Sequence, residues 1–186
     1  MDFNKNMQLV LAKEEDLDEI LEMIKRVYLK MQSRGLTNWG PDYPTRQYFE
    51  EDVKRKELFL LKNDGKTIGT VVLSLNKLTS RLIPEHSEVD WLEKRQDKYL
   101  TLFRLAVDPA YQHKGFAQRL LKFADEYCVD QNYNAIRLEA LNTTLNLKLL
   151  ALYEKHGYDL RKFVYFPSRD NTYFMFERVL IPQSKL

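Results

Sequence analysis

The segment best equipped for chemistry runs Leu102-Phe-Arg-Leu-Ala-Val-Asp-Pro-Ala-Tyr-Gln-His-Lys-Gly-Phe-Ala117. It reads as a strand, a tight connection and a helix entered through Gly115. Such a connection presents a row of backbone N–H groups that have no carbonyl one turn back to bind. With the positive end of the helix dipole behind them, these groups suit a pyrophosphate. Gly115 lets backbone approach a phosphate without a side chain in the way, Ala117 keeps the next turn small, and His113 and Lys114 add donors or positive charge. Neither the Gly-x-x-x-x-Gly-Lys-Ser/Thr loop of nucleoside triphosphatases nor the Gly-x-Gly-x-x-Gly turn of dinucleotide binders is present. The competing reading is a glycine that only eases a strand-to-helix corner.

The elements that must position this loop are legible on either side of it. Met7 to Ala12 reads as a first strand. Leu17, Ile20, Leu21, Ile24, Val27, Tyr28 and Met31 recur at three-and-four spacing, one apolar helical face. Acidic residues 14–16 near its start and basic residues toward Arg34 complement the dipole, and Gly35 stops it. Thr45 is placed to cap a second helix running to about Lys56. Leu58 to Lys62 and Thr67 to Leu75 flank Asn63-Asp64-Gly65-Lys66, a hairpin signal. Residues 76 to 98 are polar and irregular, with room for a short helix, and Tyr99 to Val107 is strand-like up to Asp108-Pro109. After the helix from Gly115, residues Ala135 to Leu141 alternate apolar Ile136, Leu138 and Ala140 against Arg137 and Glu139, predicting a strand exposed on one face. Asn146 is placed to cap a last helix ending at His156-Gly157. Phe163 to Phe166 and Tyr173 to Leu180 form a closing antiparallel pair. No repeat or linker interrupts this order, so the expectation is one α/β domain over residues 1–186, with its core in about 7–180.

Composition narrows the function classes. The chain has 186 residues and a net charge of +2, with acidic and basic residues mixed along it, which gives no electrostatic footprint for nucleic acid. No apolar run approaches the roughly 20 residues of a membrane span, and the first residues lack a signal-peptide core. Cys128 is the only cysteine, and His86, His113 and His156 show no ligand spacing, so no metal is expected. The cytoplasm is the expected compartment.

Val107-Asp-Pro followed by Gln112-x-x-Gly115-x-Ala117 and an amphipathic helix resembles the GCN5-related N-acetyltransferase (GNAT) superfamily, whose acetyl-CoA signature is Q/R-x-x-G-x-G/A after the fourth strand. Asn146, then Tyr153-Glu-Lys-His-Gly157-Tyr158, resembles the family's N…LYEKxGF segment. The element order matches too, over residues 7 to 180. The resemblance implies an α/β (α+β) fold with a central, mostly antiparallel twisted sheet flanked by about four helices. It implies acetyl transfer from acetyl-CoA to a primary amine by direct attack in a ternary complex. The backbone of Leu105, Ala106 and Val107 would pair with the pantetheine arm. Amides of Gln112, His113, Lys114, Gly115, Phe116, Ala117 and Gln118 would hold the pyrophosphate. Asn146 would bond the cofactor, and Tyr153 would stand near its sulfur as general acid. From position alone Asn146 is an N-cap and Tyr153 a core aromatic.

Some family members place a glutamate early in the fourth strand, whereas Tyr99-Leu-Thr-Leu-Phe-Arg104 carries no carboxylate. Glu139 on the next strand is the weak candidate for the base, against a plain solvated strand face. Trp39, Tyr43, Tyr48 and Trp91 are the candidate acceptor pocket; the alternative is that they only cover a sheet edge. The aromatic, proline-bounded loop at Trp39 favours a small-molecule amine over the extended peptide of a protein N-terminal or lysine acetyltransferase. A non-catalytic acyl-CoA-binding module is the alternative from another class. The acceptor's identity, the preferred acyl length and the oligomeric state stay open, a homodimer included.

Overall fold

Burial of one apolar stripe builds the first helix. Leu17, Ile20, Met23, Ile24 and Val27 of α1 (Leu17–Gln32) are buried, each such side chain contributing about 1.5–3 kcal/mol. The computed structural model describes residues 6–75, 88–95 and 97–180. It divides into two units, Met1–Leu73 with Arg104–Leu120, and Ser74–Phe103 with Leu121–Leu186.

In the first unit, β1 (Met7–Leu11) lies antiparallel to β2 (Leu58–Asn63), with Leu9 opposite Leu61. The hairpin to β3 (Lys66–Ser74) turns at Asp64 and Gly65, both at positive φ (50° and 76°). Two such residues match the right-handed twist of the flanking strands, which is why Asp-Gly signals the turn. Glu19 of α1 pins the hairpin by accepting the N–H and the hydroxyl of Thr67 at 3.0 and 2.7 Å. Thr45 precedes α2 (Arg46–Lys54) in extended conformation, but its side chain makes no capping bond. Phe49 and Asp52 are the buried side of α2.

β4 (Tyr99–Val107) and α3 (Phe116–Asp130) each run through both units. In the second unit, β5 (Ala135–Leu141) is parallel to β4 over Tyr99–Thr101 and antiparallel to β7 (Asn171–Val179), which pairs with β6 (Asp159–Phe166). α4 spans Leu147–Lys155. Among the described residues the strands are ordered β1-β2-β3-β4-β5-β7-β6, a mostly antiparallel seven-stranded sheet with four helices, as expected for the fold.

One strand differs from its sequence pattern. β5 was expected to expose Arg137, yet that side chain is fully buried. It pairs with Glu177 at 2.9 Å, donates to the Glu93 carbonyl at 2.6 Å, and lies between the rings of Trp91 and Tyr99, 4.4 and 3.7 Å from their centroids. Two of these partners, Trp91 and Glu93, come from residues 88–95, which have no regular structure; Tyr99 and Glu177 come from β4 and β7. Residues 76–87, His86 among them, and 96, the rest of the stretch given room for a short helix, lie outside the described residues. Among the described residues no helix is long and apolar enough to cross a membrane.

Candidate functional site

The loop after β4 is fixed by its own polar groups. Asp108 donates its N–H to the Ile68 carbonyl at 2.9 Å and accepts the Ala110 N–H on Oδ1 at 3.0 Å. Its Oδ2 accepts both Nε and Nη2 of Arg26 from α1, at 2.9 and 2.7 Å. Gln112 turns its amide back to the Val107 carbonyl at 3.0 Å, so the signature glutamine braces the loop. Lys114 likewise folds back, onto the Ala110 carbonyl and the Tyr111 ring.

After this braced turn, His113 and Gly115 take left-handed φ values of 62° and 85°. The α3 ladder begins with Arg119 N–H to Gly115 carbonyl, so the amides of Phe116, Ala117 and Gln118 precede it. Among the described residues, a Cβ placed on Gly115 would meet only Gln118 Oε1 within 4 Å, at 3.8 Å. Backbone conformation requires the glycine, while the space beside it is open. Gly115 therefore turns the corner, and its missing side chain leaves that space unfilled. The residues present fit an anionic diphosphate.

Upstream of the loop, β5 accompanies β4 only over Tyr99–Thr101. Leu105, Ala106 and Val107 thus keep one backbone edge unpaired among the described residues. Gly69 of β3 admits this segment closely, since a Cβ there would stand 3.0 Å from the Ala106 carbonyl. Arg104, just before it, has φ 48° within a strand, a conformation that costs a non-glycine residue about 1–3 kcal/mol. Its guanidinium makes a two-pronged bond to Asp52, with Nε and Nη2 donating at 2.8 and 2.6 Å. Burial pushes the Asp52 carboxyl above its ordinary range, and Arg104 offsets only part of that. The sequence reading missed this pair, because nothing local marks an arginine as buried when its partner lies 52 residues away.

Three of the four pocket aromatics come together in the first unit. Trp39 and Tyr43 meet edge-on at 6.5 Å, and Tyr43 and Tyr48 at 5.1 Å. Trp91 belongs to the second unit, where it packs on Arg137.

Asn146, Tyr153 and Glu139 also lie in the second unit. Asn146 stands at the N-cap of α4, but its side chain makes no capping bond and instead donates to the Leu141 carbonyl at 3.0 Å. A short turn, Thr144–Asn146, precedes the helix and is capped by Thr143, which leaves the Asn146 amide free to reach back to β5. Tyr153 is buried between Tyr158 and Phe176, with ring centroids 5.7 and 5.8 Å away. Burial holds its hydroxyl well above the ordinary phenol range, so it stays protonated. Glu139 is no solvated residue. Its Oε1 accepts from Arg169 at 2.6 Å, and its Oε2 is buried without a hydrogen-bond partner. His156 bonds Asp125 at 2.9 Å. Among the described residues no group of three or more His, Cys, Asp or Glu is placed to hold a metal ion.

Comparison with known proteins gives this geometry a context. The family described as the acetyltransferase (GNAT) family matches residues 17–158, more than half of the chain. The chain belongs to that family. No curated protein matches it. Among solved structures, the GNAT fold recurs in the ribosomal-protein-S18-alanine N-acetyltransferase of Escherichia coli, at 16% identity over 97% of this chain and 98% of that one, TM-score 0.67. The PaiA N-acetyltransferase of Thermoplasma acidophilum, in complex with coenzyme A, is 15% identical over 94% and 99%, TM-score 0.68. A spermidine N-acetyltransferase SpeG chimera from Vibrio cholerae and hSSAT is 18% identical over 95% and 96%, TM-score 0.65. At such identities the likeness establishes the fold. Acceptors named among these GNAT neighbours include both a protein and a small molecule.

Proposed function

We propose that this chain transfers the acetyl group of acetyl-CoA to a primary amine of a small molecule. The observation that carries the reading is the loop at Gly115: a left-handed glycine with open space beside it, at the start of a helix whose first amides precede the ladder. These amides, from Gln112 to Gln118, are assigned to the pyrophosphate, and the open backbone edge of Leu105–Val107 to the amides of the pantetheine arm. Asn146, whose Nδ2 is already used on Leu141, would offer the cofactor its oxygen.

When bound, acetyl-CoA supplies an activated thioester, so the chain needs no nucleophile of its own. Its tasks are to orient the amine, stabilise an oxyanion and return a proton to a thiolate. The Ala106 N–H is assigned to the oxyanion, as the family resemblance implies. Tyr153 is assigned to the proton; burial keeps its hydroxyl protonated at any working pH, which a donor requires. Amine deprotonation is left to water, or to Glu139 acting on it through Oε2, since Oε1 is engaged by Arg169.

A small acceptor is favoured by the edge-on packing of Trp39, Tyr43 and Tyr48, which closes the aromatic loop on itself and leaves less room for an extended peptide. Thiol release from acetyl-CoA, measured across polyamines, amino acids, aminoglycosides and peptides, tests the proposal. Turnover is expected with a small amine. Turnover restricted to peptides would move the acceptor to the protein class, and CoA binding without turnover on any amine would leave a binding module.

A further inference from the structure

Arg104 combines three features that no local sequence pattern requires. It holds a left-handed backbone in the middle of β4 (φ 48°). Its side chain is almost wholly buried and forked onto Asp52 of α2, with both carboxylate oxygens engaged. Its carbonyl accepts the Thr70 hydroxyl at 3.0 Å. The bend in the strand is therefore gripped from both sides, by β3 through the carbonyl and by α2 through the side chain. The same guanidinium lies 5.7 Å from the Tyr48 ring centroid and hydrogen-bonds Tyr43. One side chain thus joins the bent strand, the start of its open edge at Leu105, and the aromatic loop.

We propose that Arg104, braced by Asp52, is a positioning residue that sets the direction of the Leu105–Val107 edge and holds the Trp39–Tyr48 loop in register with it. This rests on the functional reading above. The fork's planar geometry matters more than its charge, because the guanidinium gives the two Asp52 oxygens a parallel pair of donors that an ammonium does not present. Glycine adopts positive φ without strain, so Arg104→Gly keeps the bend available and removes only the grip. A residue needed merely to fold the strand would be replaced well by glycine.

The test compares wild type, Arg104→Gly, Arg104→Lys and Asp52→Asn by thermal melt, CoA titration, steady-state kinetics and peptide-level hydrogen exchange. For Arg104→Gly the expected result is a folded protein whose CoA affinity falls about 10-fold, because the Leu105–Val107 edge assigned to the pantetheine arm loses its direction while the braced phosphate loop is untouched. Its kcat/KM for the amine should fall about 10- to 100-fold, with Arg104→Lys in between. Exchange at residues 105–107 and 39–48 should quicken at least tenfold. Asp52→Asn should reproduce the kinetic loss and, combined with Arg104→Gly, add little to it. Native kcat/KM and unchanged exchange in Arg104→Gly would overturn the proposal. Exchange reads the grip without turnover, so a wild type that acetylates nothing would sink the functional reading while still deciding this one. If glycine does not fold, Arg104→Lys carries the same comparison, and native exchange in it overturns the fork.

Discussion

Arg26 of α1 reaches across to Asp108 with two donors on one carboxylate oxygen, at 2.9 and 2.7 Å. The other oxygen of Asp108 caps the turn that leads into the proposed phosphate loop. A long helix built from an apolar stripe is thereby wired to a loop 82 residues away. Arg26→Gln leaves a buried carboxylate short of its partner. Because Arg26 is itself 41% exposed on its side chain, the expected cost is only about 1–2 kcal/mol of stability. CoA should bind several-fold more weakly, through loss of loop order. Denaturant melts and a CoA titration on the same preparation check both parts; unchanged affinity would show that the loop keeps its shape without α1.

Gly115→Val should weaken CoA binding at least a hundredfold. The φ of 85° makes a β-branched residue strained, at about 1–2 kcal/mol, while the space beside the glycine would fill with methyl groups. A glycine serving the corner alone would show the stability loss with native affinity. Titration of CoA into the folded variant separates the two.

Tyr153→Phe is expected to lower turnover about 10²-fold while CoA affinity is nearly kept. The Tyr153 hydroxyl makes no hydrogen bond with the described residues, and its ring packs on Tyr158 and Phe176. Phenylalanine should therefore fold normally. Steady-state kinetics with a competent amine decides it: near-native turnover would reduce Tyr153 to a core aromatic.

Cys128 gives a pH prediction. Burial, with Asp125 nearby, pushes its thiol up to about 12. The unfolded chain returns it to about 8.5. Since the unfolded state loses its proton first, this thiol contributes no penalty below pH ~8.5 and costs about 1.4 kcal/mol per pH unit between the two values. Iodoacetamide at pH 8 should leave native Cys128 unmodified and alkylate it in urea. Rapid alkylation of the native protein would contradict the burial.

Much of the architecture was legible because it depends on neighbours in sequence. β4 and β5 begin and end where their apolar runs do, at Tyr99–Val107 and Ala135–Leu141. Asp64-Gly65 and Gly115 carry the positive φ their positions require. What escaped the sequence depends on distant partners. Arg137 reads as a solvent face until Trp91, Tyr99 and Glu177 enclose it. Asn146 reads as a cap, yet an inserted turn lets its amide reach the Leu141 carbonyl. Glu139 reads as solvated until Arg169 closes on it, and Arg104 is unremarkable without Asp52. Local pattern thus foretold the elements and the turn at Gly115, and missed the ion pairs that brace them.

The central claim is that the Gly115 loop binds acetyl-CoA, and a thermal melt with and without that ligand tests it most directly. At a concentration about 100 times its dissociation constant, acetyl-CoA should stabilise the fold by about 2.7 kcal/mol. CoA should do likewise, and both shifts should vanish in Gly115→Val. A wild-type melting curve indifferent to saturating acetyl-CoA and CoA would contradict the account.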